Sequence, residues 1–121
     1  MIRAAAIALG LAAIALPSAA QEATERGTGA VLRGLDKISG AVEDVRLVNG
    51  AQVSLGRLEI SLRECRYPEG DPSGDAWAYL VIREAGIAEP IFGGWMTAAS
   101  PALNALDHAR YDVWVLRCIT S

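Results

Sequence analysis

His108 is the only histidine in the chain, and its neighbours include residues that could complete a hydrolytic site. Ser100, His108 and either Asp107 or Asp112 supply the side-chain types of a Ser-His-Asp triad. A triad requires the nucleophile and the base to lie within hydrogen-bond reach, and nothing in this spacing enforces that distance. The chain has no Gly-x-Ser-x-Gly turn, and Ser100 precedes Pro101 as a helix N-cap does. A small hydrolase is therefore the weaker hypothesis, and we expect His108 to end a short helix.

Metal ligands are also too few and too scattered for a typical site. Cys65, His108 and Cys118 could supply three ligands, but no Cys-x-x-Cys or His-x-x-x-His spacing is present. The carboxylates follow no calcium-loop pattern. Gly27 and Gly29 precede no helix, so they predict no phosphate loop. We expect no metal and no cofactor.

Six aromatic residues follow position 76, namely Trp77, Tyr79, Phe92, Trp95, Tyr111 and Trp114. Stacked aromatic rings could bind sugars or an apolar ligand, but most large aromatics in a small β domain belong to its core. Strand alternation places Trp114 on one face with Leu116 and Cys118. Trp95 follows two glycines, and it is the aromatic that we expect to be exposed.

The N-terminal region has the features of a secretory signal. Arg3 is followed by an uncharged stretch over residues 4–16, and Ser18 and Ala20 form a small-x-small cleavage site. A spanning helix needs about 20 apolar residues, so this stretch is too short for a permanent anchor. We predict a cleavable signal peptide over residues 1–20, a flexible leader over residues 21–29 and one domain over residues 30–121. The predicted location is the periplasm or the exterior, with no membrane span after cleavage.

The charge balance disfavours nucleic acid as a partner. The chain has 14 acidic and 11 basic residues, a net charge of −3, and it contains no basic run. Nucleic-acid binding usually requires a basic patch. The acidic balance indicates solubility rather than a specific partner.

Cys65 and Cys118 are the two cysteines, and in an exported domain they are most simply a disulfide. Closing a loop of about 50 residues would stabilise the fold by roughly 4 kcal/mol. Cys65, however, falls on the polar parity of the alternating segment 57–65. Either a β-bulge near Arg63 and Glu64 resets the alternation, or the bond closes at the rim of the sheet; two separate buried thiols are the remaining alternative.

Short apolar segments separated by turn residues indicate a mostly β fold. Leu58, Ile60 and Leu62 alternate with polar residues, and Asn49-Gly50 is a typical hairpin turn. We expect a bulge or a close backbone approach at Gly93-Gly94. The predicted strands cover residues 30–35, 41–48, 52–55, 57–65, 77–83, 91–96 and 111–119. About seven strands and one short helix near residues 100–108 predict a small antiparallel sandwich or a partly open barrel.

The C-terminal half contains the motifs Gly94-Trp95-Met96, Ser100-Pro101-Ala102-Leu103, Asp107-His108, Tyr111-Asp112-Val113-Trp114 and Cys118. Together these motifs resemble a family of secreted proteobacterial proteins, domain of unknown function 2155. Leu35-Asp36-Lys37, the segment 56–60 and Cys65 are similar to its N-terminal half. The resemblance implies the Cys65–Cys118 pairing but no activity. The chain departs from the family pattern at Thr97, where the family has an aromatic residue, and at Ala109-Arg110, where it has His-Pro.

From these observations we expect a non-enzymatic periplasmic module that engages an envelope protein. Irregular segments on a rigid scaffold often carry binding residues, and residues 93–111 form such a segment. The candidate binding residues are Trp95, Met96, Ser100, Asp107, His108 and Tyr111. The alternative is a domain that binds a small ligand or glycan through an aromatic cluster.

Overall fold

The computed structural model describes Gly10 and residues 23–121, and the regular structure in this part of the chain is β apart from one 3₁₀ turn. The predicted signal peptide, Gly10 apart, lies outside the described residues. The eight strands are β1 (Thr24–Arg26), β2 (Gly29–Asp36), β3 (Val42–Val48), β4 (Gln52–Leu55), β5 (Leu58–Pro68), β6 (Trp77–Glu84), β7 (Phe92–Thr97) and β8 (Tyr111–Ile119). No helix in the described part is long and apolar enough to cross a membrane.

Two antiparallel sheets pack face to face as a sandwich, which confirms the predicted fold class. The first sheet has the order β1-β5-β6-β7, and β4 also pairs with β5. The second sheet has the order β3-β2-β8. Apolar side chains from both inner faces form one core. Each fully buried Leu or Ile contributes about 1.5–3 kcal/mol relative to an exposed one.

Of the two alternatives that the parity of Cys65 left open, the structure has the β-bulge in β5. Leu62 pairs with Leu80 and Glu64 pairs with Tyr79, so Arg63 is an extra residue in β5. Leu58, Ile60 and Leu62 face the core before the bulge, as their alternation predicts. The extra residue shifts the alternation by one position. Cys65 is therefore buried in spite of its polar parity in the sequence.

A second bulge lies in β8, and because of it the predicted assignment of side chains to the two faces of this strand is wrong. Val115 pairs with Leu32 and Arg117 pairs with Val31, which leaves Leu116 as the extra residue. Cys118 consequently joins the buried face of Val113 and Val115, whereas Trp114 and Leu116 are only half-buried. Simple alternation had placed Trp114, Leu116 and Cys118 together. The error arises because a bulge leaves no mark in the parity pattern of a short apolar strand.

Cys65 and Cys118 form a disulfide with a Cα–Cα distance of 5.7 Å. Cys65 lies on β5 in the first sheet and Cys118 on β8 in the second, so the bond joins the two sheets across the core. This result resolves the alternatives left open by the sequence: the bond does not close at an exposed rim, and the cysteines are not separate thiols.

The predicted flexible leader over residues 21–29 is wrong for residues 24–29, which are held in the sandwich. Thr24–Arg26 form β1, paired with residues 66–68 of β5, and the chain then crosses at Gly27 into β2 of the other sheet. The Gly27 amide donates to the Cys65 carbonyl oxygen at 2.7 Å. A Cβ at position 27 would lie 2.8 Å from the Ile119 carbonyl oxygen, so glycine is required for this close passage. The low apolar content of the segment concealed a strand that is held by backbone hydrogen bonds.

The Asn49-Gly50 turn is a corner between the sheets and not the predicted hairpin. β3 pairs with β2 and β4 pairs with β5, so the turn connects strands of different sheets. Gly50 has a positive φ of 84°, but Asn49 does not, whereas a type I′ hairpin turn requires both. The Asn49 side chain instead donates to the Gly27 carbonyl oxygen at 2.8 Å. Asn49 thus holds the crossing segment in place.

In the region between β6 and β8, the predicted helix is wrong and only one of the two alternatives for Gly93-Gly94 is excluded. The expected helix near residues 100–108 is reduced to one 3₁₀ turn, Pro101–Leu103, none of whose residues is buried. A turn with no face to pack has little to extend it into a longer helix. β7 pairs with β6 without a register shift, so Gly93-Gly94 form no bulge. Gly93 has open space above it, whereas at Gly94 a Cβ would lie 2.9 Å from the Asn104 side-chain nitrogen, so a close approach to the backbone does occur there.

Candidate functional site

Residues from both halves of the chain meet where the β2–β3 turn contacts the segment before β8. Asp36 accepts backbone hydrogen bonds from Ile38 and Ser39, and its carboxylate also binds the Arg110 guanidinium, with Nη2–Oδ2 at 2.9 Å. Lys37 Nζ donates to the His108 carbonyl oxygen at 2.6 Å. We call this region, formed by Asp36, Lys37, Glu84, His108, Arg110 and Tyr111, the polar end. It joins motifs that lie about 70 residues apart in the sequence.

The two ring nitrogens of His108 are both engaged in hydrogen bonds at the polar end. Nδ1 accepts from the backbone amides of Arg110 and Tyr111, at 3.0 and 3.1 Å. Because Nδ1 is an acceptor, we assign the ring proton to Nε2, which donates to Glu84 Oε1 at 2.6 Å. His108 therefore ties β6 to the start of β8 and makes no hydrogen bond with Ser100. The Ser-His-Asp geometry considered from the sequence does not form.

Tyr111 belongs to the core rather than to a binding surface. Its side chain is 4% exposed and lies against Gly56, where an added Cβ would approach the phenol oxygen to 2.6 Å. The Arg57 amide donates to this oxygen at 3.2 Å. Gly56 has a positive φ of 58° in the tight β4–β5 turn, so glycine is favoured there both for conformation and for space. Tyr111 thus connects β8 to a turn of the opposite sheet.

Charge pairing at the polar end changes the acidity of Asp36. The hydrogen bond from Arg110 is the largest cause that holds the pKa of Asp36 well below its usual range, and the amides of Ile38 and Ser39 act in the same direction. Partial desolvation opposes these effects. The carboxylate is consequently ionised throughout the physiological range, and it acts as an anchor for the turn.

Ser100 and Asp107, two of the predicted binding residues, lie in the segment between β7 and β8. Ser100 and Asp107 are exposed, and Ser100 makes no side-chain capping hydrogen bond. Leu103 and Leu106 are three residues apart and would lie on the same side of a continuous helix. Leu103 is instead 79% exposed, whereas Leu106 is buried in the core. The short 3₁₀ turn explains the difference, because it does not maintain helical periodicity to position 106.

Trp95 and Met96 lie on opposite faces of β7. Met96 is 2% exposed and packs in the core, so it is not available to a partner. Trp95 points to the outer face of the first sheet and is 40% exposed, as the sequence led us to expect. Its ring makes an edge-to-face contact with Tyr79 at a centroid distance of 5.4 Å. Asn104 donates to the Trp95 carbonyl oxygen at 3.0 Å, which fixes the backbone at this position.

A recess of about 480 Å³ lies beside Trp95 on the same outer face and is lined by Thr24, Arg66, Trp77 and Trp95. We call it the Trp95 recess. Trp77 lies opposite Thr97 in the β6–β7 register. Thr97 therefore places a small side chain next to Trp77 at the recess.

The six aromatic residues do not form the cluster expected for a ligand-binding domain. Trp77, Tyr79 and Trp95 are in the first sheet, whereas Trp114 is in the second and Tyr111 is in the core. In the described part of the chain, the aromatic contacts are Tyr79 with Trp95 and His108 with Tyr111. The prediction fails because strand position in two different sheets, rather than proximity in sequence, determines which rings meet.

Other sites are smaller or lack suitable ligands. Within the described residues, no group of three or more His, Cys, Asp or Glu side chains could hold a metal ion. A groove of about 390 Å³ separates the 3₁₀ turn from β8, and its walls include Ala102, Ala105 and Trp114. The groove is lined mostly by apolar groups and one carboxylate, Asp112, which suggests no particular chemistry.

Sequence reasoning missed two residues of the Trp95 recess. Thr24 was assigned to the leader, and Arg66 lay beyond the predicted end of its strand. The place of both residues at the recess follows from the pairing of β1 with the last residues of β5, in which Arg26 lies opposite Arg66. This pairing is not encoded in a local sequence pattern. Arg66 follows Cys65, so the bulge that buries the cysteine also turns Arg66 outward. The conflict of parity at Cys65 was the one signal in the sequence that could have indicated this.

Comparison with known proteins places this chain among conserved bacterial proteins. Residues 30–118 match the family model described as "Uncharacterized protein conserved in bacteria (DUF2155)". The chain is 28% identical over 87 residues to "Uncharacterized protein RP359" of Rickettsia prowazekii (strain Madrid E), a match that covers 69% of this chain. It covers 56% of the length of that relative. No solved structure matches the chain.

Proposed function

The chain belongs to this DUF2155 family, and on that premise we propose that it is a non-enzymatic interaction module of the bacterial cell envelope. In this proposal it binds a protein partner through the outer face of the first sheet around Trp95. We place it in the periplasm.

The exposure of Trp95 on a rigid strand is the observation that carries the proposal. The side chain is 40% exposed, although Tyr79 and the recess wall provide apolar surface beside it. Tryptophan is enriched among the residues that dominate the binding energy of protein interfaces. Because β7 is paired with β6 and its backbone is fixed by Asn104, little conformational entropy is lost when a partner covers the indole.

The bonding of His108 supports a binding role over a hydrolytic one. A general base must offer a free nitrogen to its nucleophile. Nδ1 of His108 is occupied by two backbone amides and Nε2 by Glu84. His108 is thus better suited to stabilising the polar end than to transferring protons.

The disulfide and the N-terminal sequence support the periplasmic location. Disulfides form and persist in oxidising compartments, and Cys65 and Cys118 are paired. Fusion of alkaline phosphatase to the C-terminus tests the location, because the enzyme is active only after export. Phosphatase activity that persists after removal of residues 1–20 would contradict a signal-dependent location.

Site-specific photo-crosslinking tests the binding face directly. The photoreactive p-benzoylphenylalanine replaces Thr97, on the same face as Trp95, and in a separate strain it replaces Val48, which is exposed on β3 of the other sheet. We expect a discrete crosslinked band in native envelopes from position 97 and none from position 48. Trp95→Ala should abolish that band and change the thermal unfolding temperature by only a few degrees, because the indole is not in the core.

Leu103→Ala is the matched control, since Leu103 is a still more exposed apolar residue in the neighbouring segment. The band should survive in this variant. Equal loss with Leu103→Ala and Trp95→Ala would contradict a specific face. A large loss of stability in Trp95→Ala would assign the indole to packing rather than to binding.

A further inference from the structure

We propose that the Trp95 recess binds a carboxylate group of the partner and that Arg66 is the residue that recognises it. This inference rests on the proposed function, since it specifies the chemistry of the partner at the same face. The ligand is an acidic side chain or a C-terminal carboxylate that is carried next to an apolar or aromatic group.

The guanidinium of Arg66 is held in place before any ligand arrives. Nε donates to Thr24 Oγ1 at 2.8 Å, Nη1 donates to Glu64 Oε1 at 2.6 Å, and Nη2 makes a long contact with the Thr24 carbonyl oxygen at 3.5 Å. A guanidinium has five N–H donors in a fixed fork. Within the described residues, these bonds leave two of the five donors without a partner. The fork therefore has capacity for a further acceptor and loses little freedom in binding it.

The local charge also favours an anion. The guanidiniums of Arg26 and Arg66 share the carboxylate of Glu64, with the Arg26 Nε–Glu64 Oε1 distance at 3.9 Å. Arg66 is the one charged residue among the four that line the recess. Because Glu64 is shared between Arg66 and Arg26, it does not fully neutralise this arginine pair. Complementarity of this kind selects the partner and its orientation more than it adds affinity.

The walls of the recess define what must carry the carboxylate. Trp77 and Trp95 present apolar indole surface beside Arg66. Arginine side chains and carboxylates interact more strongly where water is partly excluded. An apolar or aromatic group adjoining the carboxylate would cover the indoles and exclude this water. A fully hydrated anion such as free acetate would gain only part of these contacts.

Titration with benzoate and benzamide, followed by NMR of the protein, tests the inference. The two probes have the same ring and differ in the charge of the second group. We expect benzoate to shift the Arg66 Nε–H and the indole N–H signals of Trp77 and Trp95, with millimolar affinity, and benzamide to bind at least about tenfold more weakly. Arg66→Met should reduce benzoate binding to the level of benzamide. Arg117→Met, which changes an exposed arginine of the other sheet, should leave it unchanged.

Removal of the Arg66 guanidinium could release β1, so a milder variant is included. Arg66→Lys keeps the charge but lacks the fork, and we expect it to bind benzoate several-fold more weakly than wild type with an unchanged backbone spectrum. Equal shifts with benzoate and benzamide, or shifts that persist unchanged in both Arg66 variants, would overturn the inference.

The two proposals fail separately. A crosslinked partner at position 97 whose capture is unaffected by Arg66→Lys would sink the carboxylate inference and leave the binding face intact. Benzoate binding at Arg66 without any crosslinked partner would support the site and contradict the protein-binding function. Two capped peptides then distinguish the source of the group: one has a Trp-Glu sequence and an amidated C-terminus, and the other has no acidic side chain but a free C-terminal carboxylate after Trp.

Discussion

The two ends of the sandwich are closed by different chemistry. At one end, which we call the cystine end, the Cys65–Cys118 bond joins β5 to β8 under the chain crossing at Gly27. At the polar end, Tyr111 and His108 join the start of β8 to the first sheet by hydrogen bonds to the Arg57 amide and to Glu84. Each end therefore carries a connection between the sheets, one covalent and apolar, the other polar and partly exposed.

This difference indicates how the domain should respond to its surroundings. Disulfide-bonded cysteines do not titrate, so the connection at the cystine end depends only on the oxidation state of the two sulfur atoms. The polar end depends on the ionisation of Asp36 and on the tautomer of His108. We therefore expect the cystine end to respond to redox conditions and the polar end to respond to pH. A perturbation of one end should then be distinguishable from a perturbation of the other.

Loss of the disulfide should have the largest effect on stability. The Cys65→Ala/Cys118→Ala variant should lose about 4 kcal/mol of unfolding free energy, because the bond closes a long loop in the unfolded chain. For a domain of this size the unfolding temperature should fall by roughly 15 °C or more, measured by circular dichroism. The oxidised and reduced forms of the wild-type protein provide the control without mutation. A difference of only a few degrees between them would show that the hydrogen bonds of the polar end are sufficient to hold the sheets together.

Loss of the His108 ring should have a smaller effect. His108→Ala leaves the backbone amides of Arg110 and Tyr111 without their acceptor, which should cost about 1–3 kcal/mol in chemical unfolding. His108→Asn should recover part of this loss, because the Asn side-chain oxygen can replace Nδ1 as the acceptor. Asp107→Ala, next to it and exposed, should be neutral. If the Asn and Ala variants are equally unstable, the role assigned to Nδ1 is wrong.

Acid should loosen the polar end locally, with the smallest effect on the whole domain. The pKa of Asp36 is lowered in the folded state, so its contribution is complete above the unfolded value, about 3.9, and is lost as pH falls toward the folded value. Between about pH 5 and pH 2, amide exchange at Ile38 and Ser39, corrected for intrinsic rates, should become faster than exchange near Cys65. Asp36→Asn should remove this pH dependence, and Asp107→Asn should preserve it. Equal acid sensitivity at both ends would contradict the assignment of pH dependence to the polar end.

The sequence predicts the covalent connection better than the polar one. Family resemblance and the number of cysteines indicate the Cys65–Cys118 pair, and the parity conflict at Cys65 offers a bulge near Arg63 as one of two explanations, which the structure bears out. No equivalent conflict marks the bulge at Leu116, because β8 is apolar on both parities. The contacts of Asp36 with Arg110 join residues 74 positions apart, and no local pattern encodes such a pairing.

The composition of the binding face is likewise not encoded in a local sequence pattern. The exposure of Trp95 follows from its place beside two glycines, but Met96 and Tyr111 were given to a surface and are buried. Sequence proximity suggested that residues 93–111 act together, whereas β7 and β8 lie in different sheets and alternate between inner and outer faces. The partners of Trp95 come instead from β1, β5 and β6. Long-range strand pairing, which single-sequence patterns do not specify, determines the composition of that face.

The passage of the chain over the disulfide at Gly27 also has a mechanical consequence. A pull between Thr24 and Ile119 first loads the short β1–β5 ladder and then meets the covalent link from β5 to β8. Residues 66–117 lie inside the covalent loop and cannot be drawn out. At about 3.5 Å per residue, the fully stretched span is limited to roughly 150 Å, compared with roughly 330 Å for the reduced chain. Strands β6 and β7, which carry Trp77 and Trp95, are therefore shielded from tension along the chain as long as the disulfide is intact, whereas Thr24 in β1 is loaded directly.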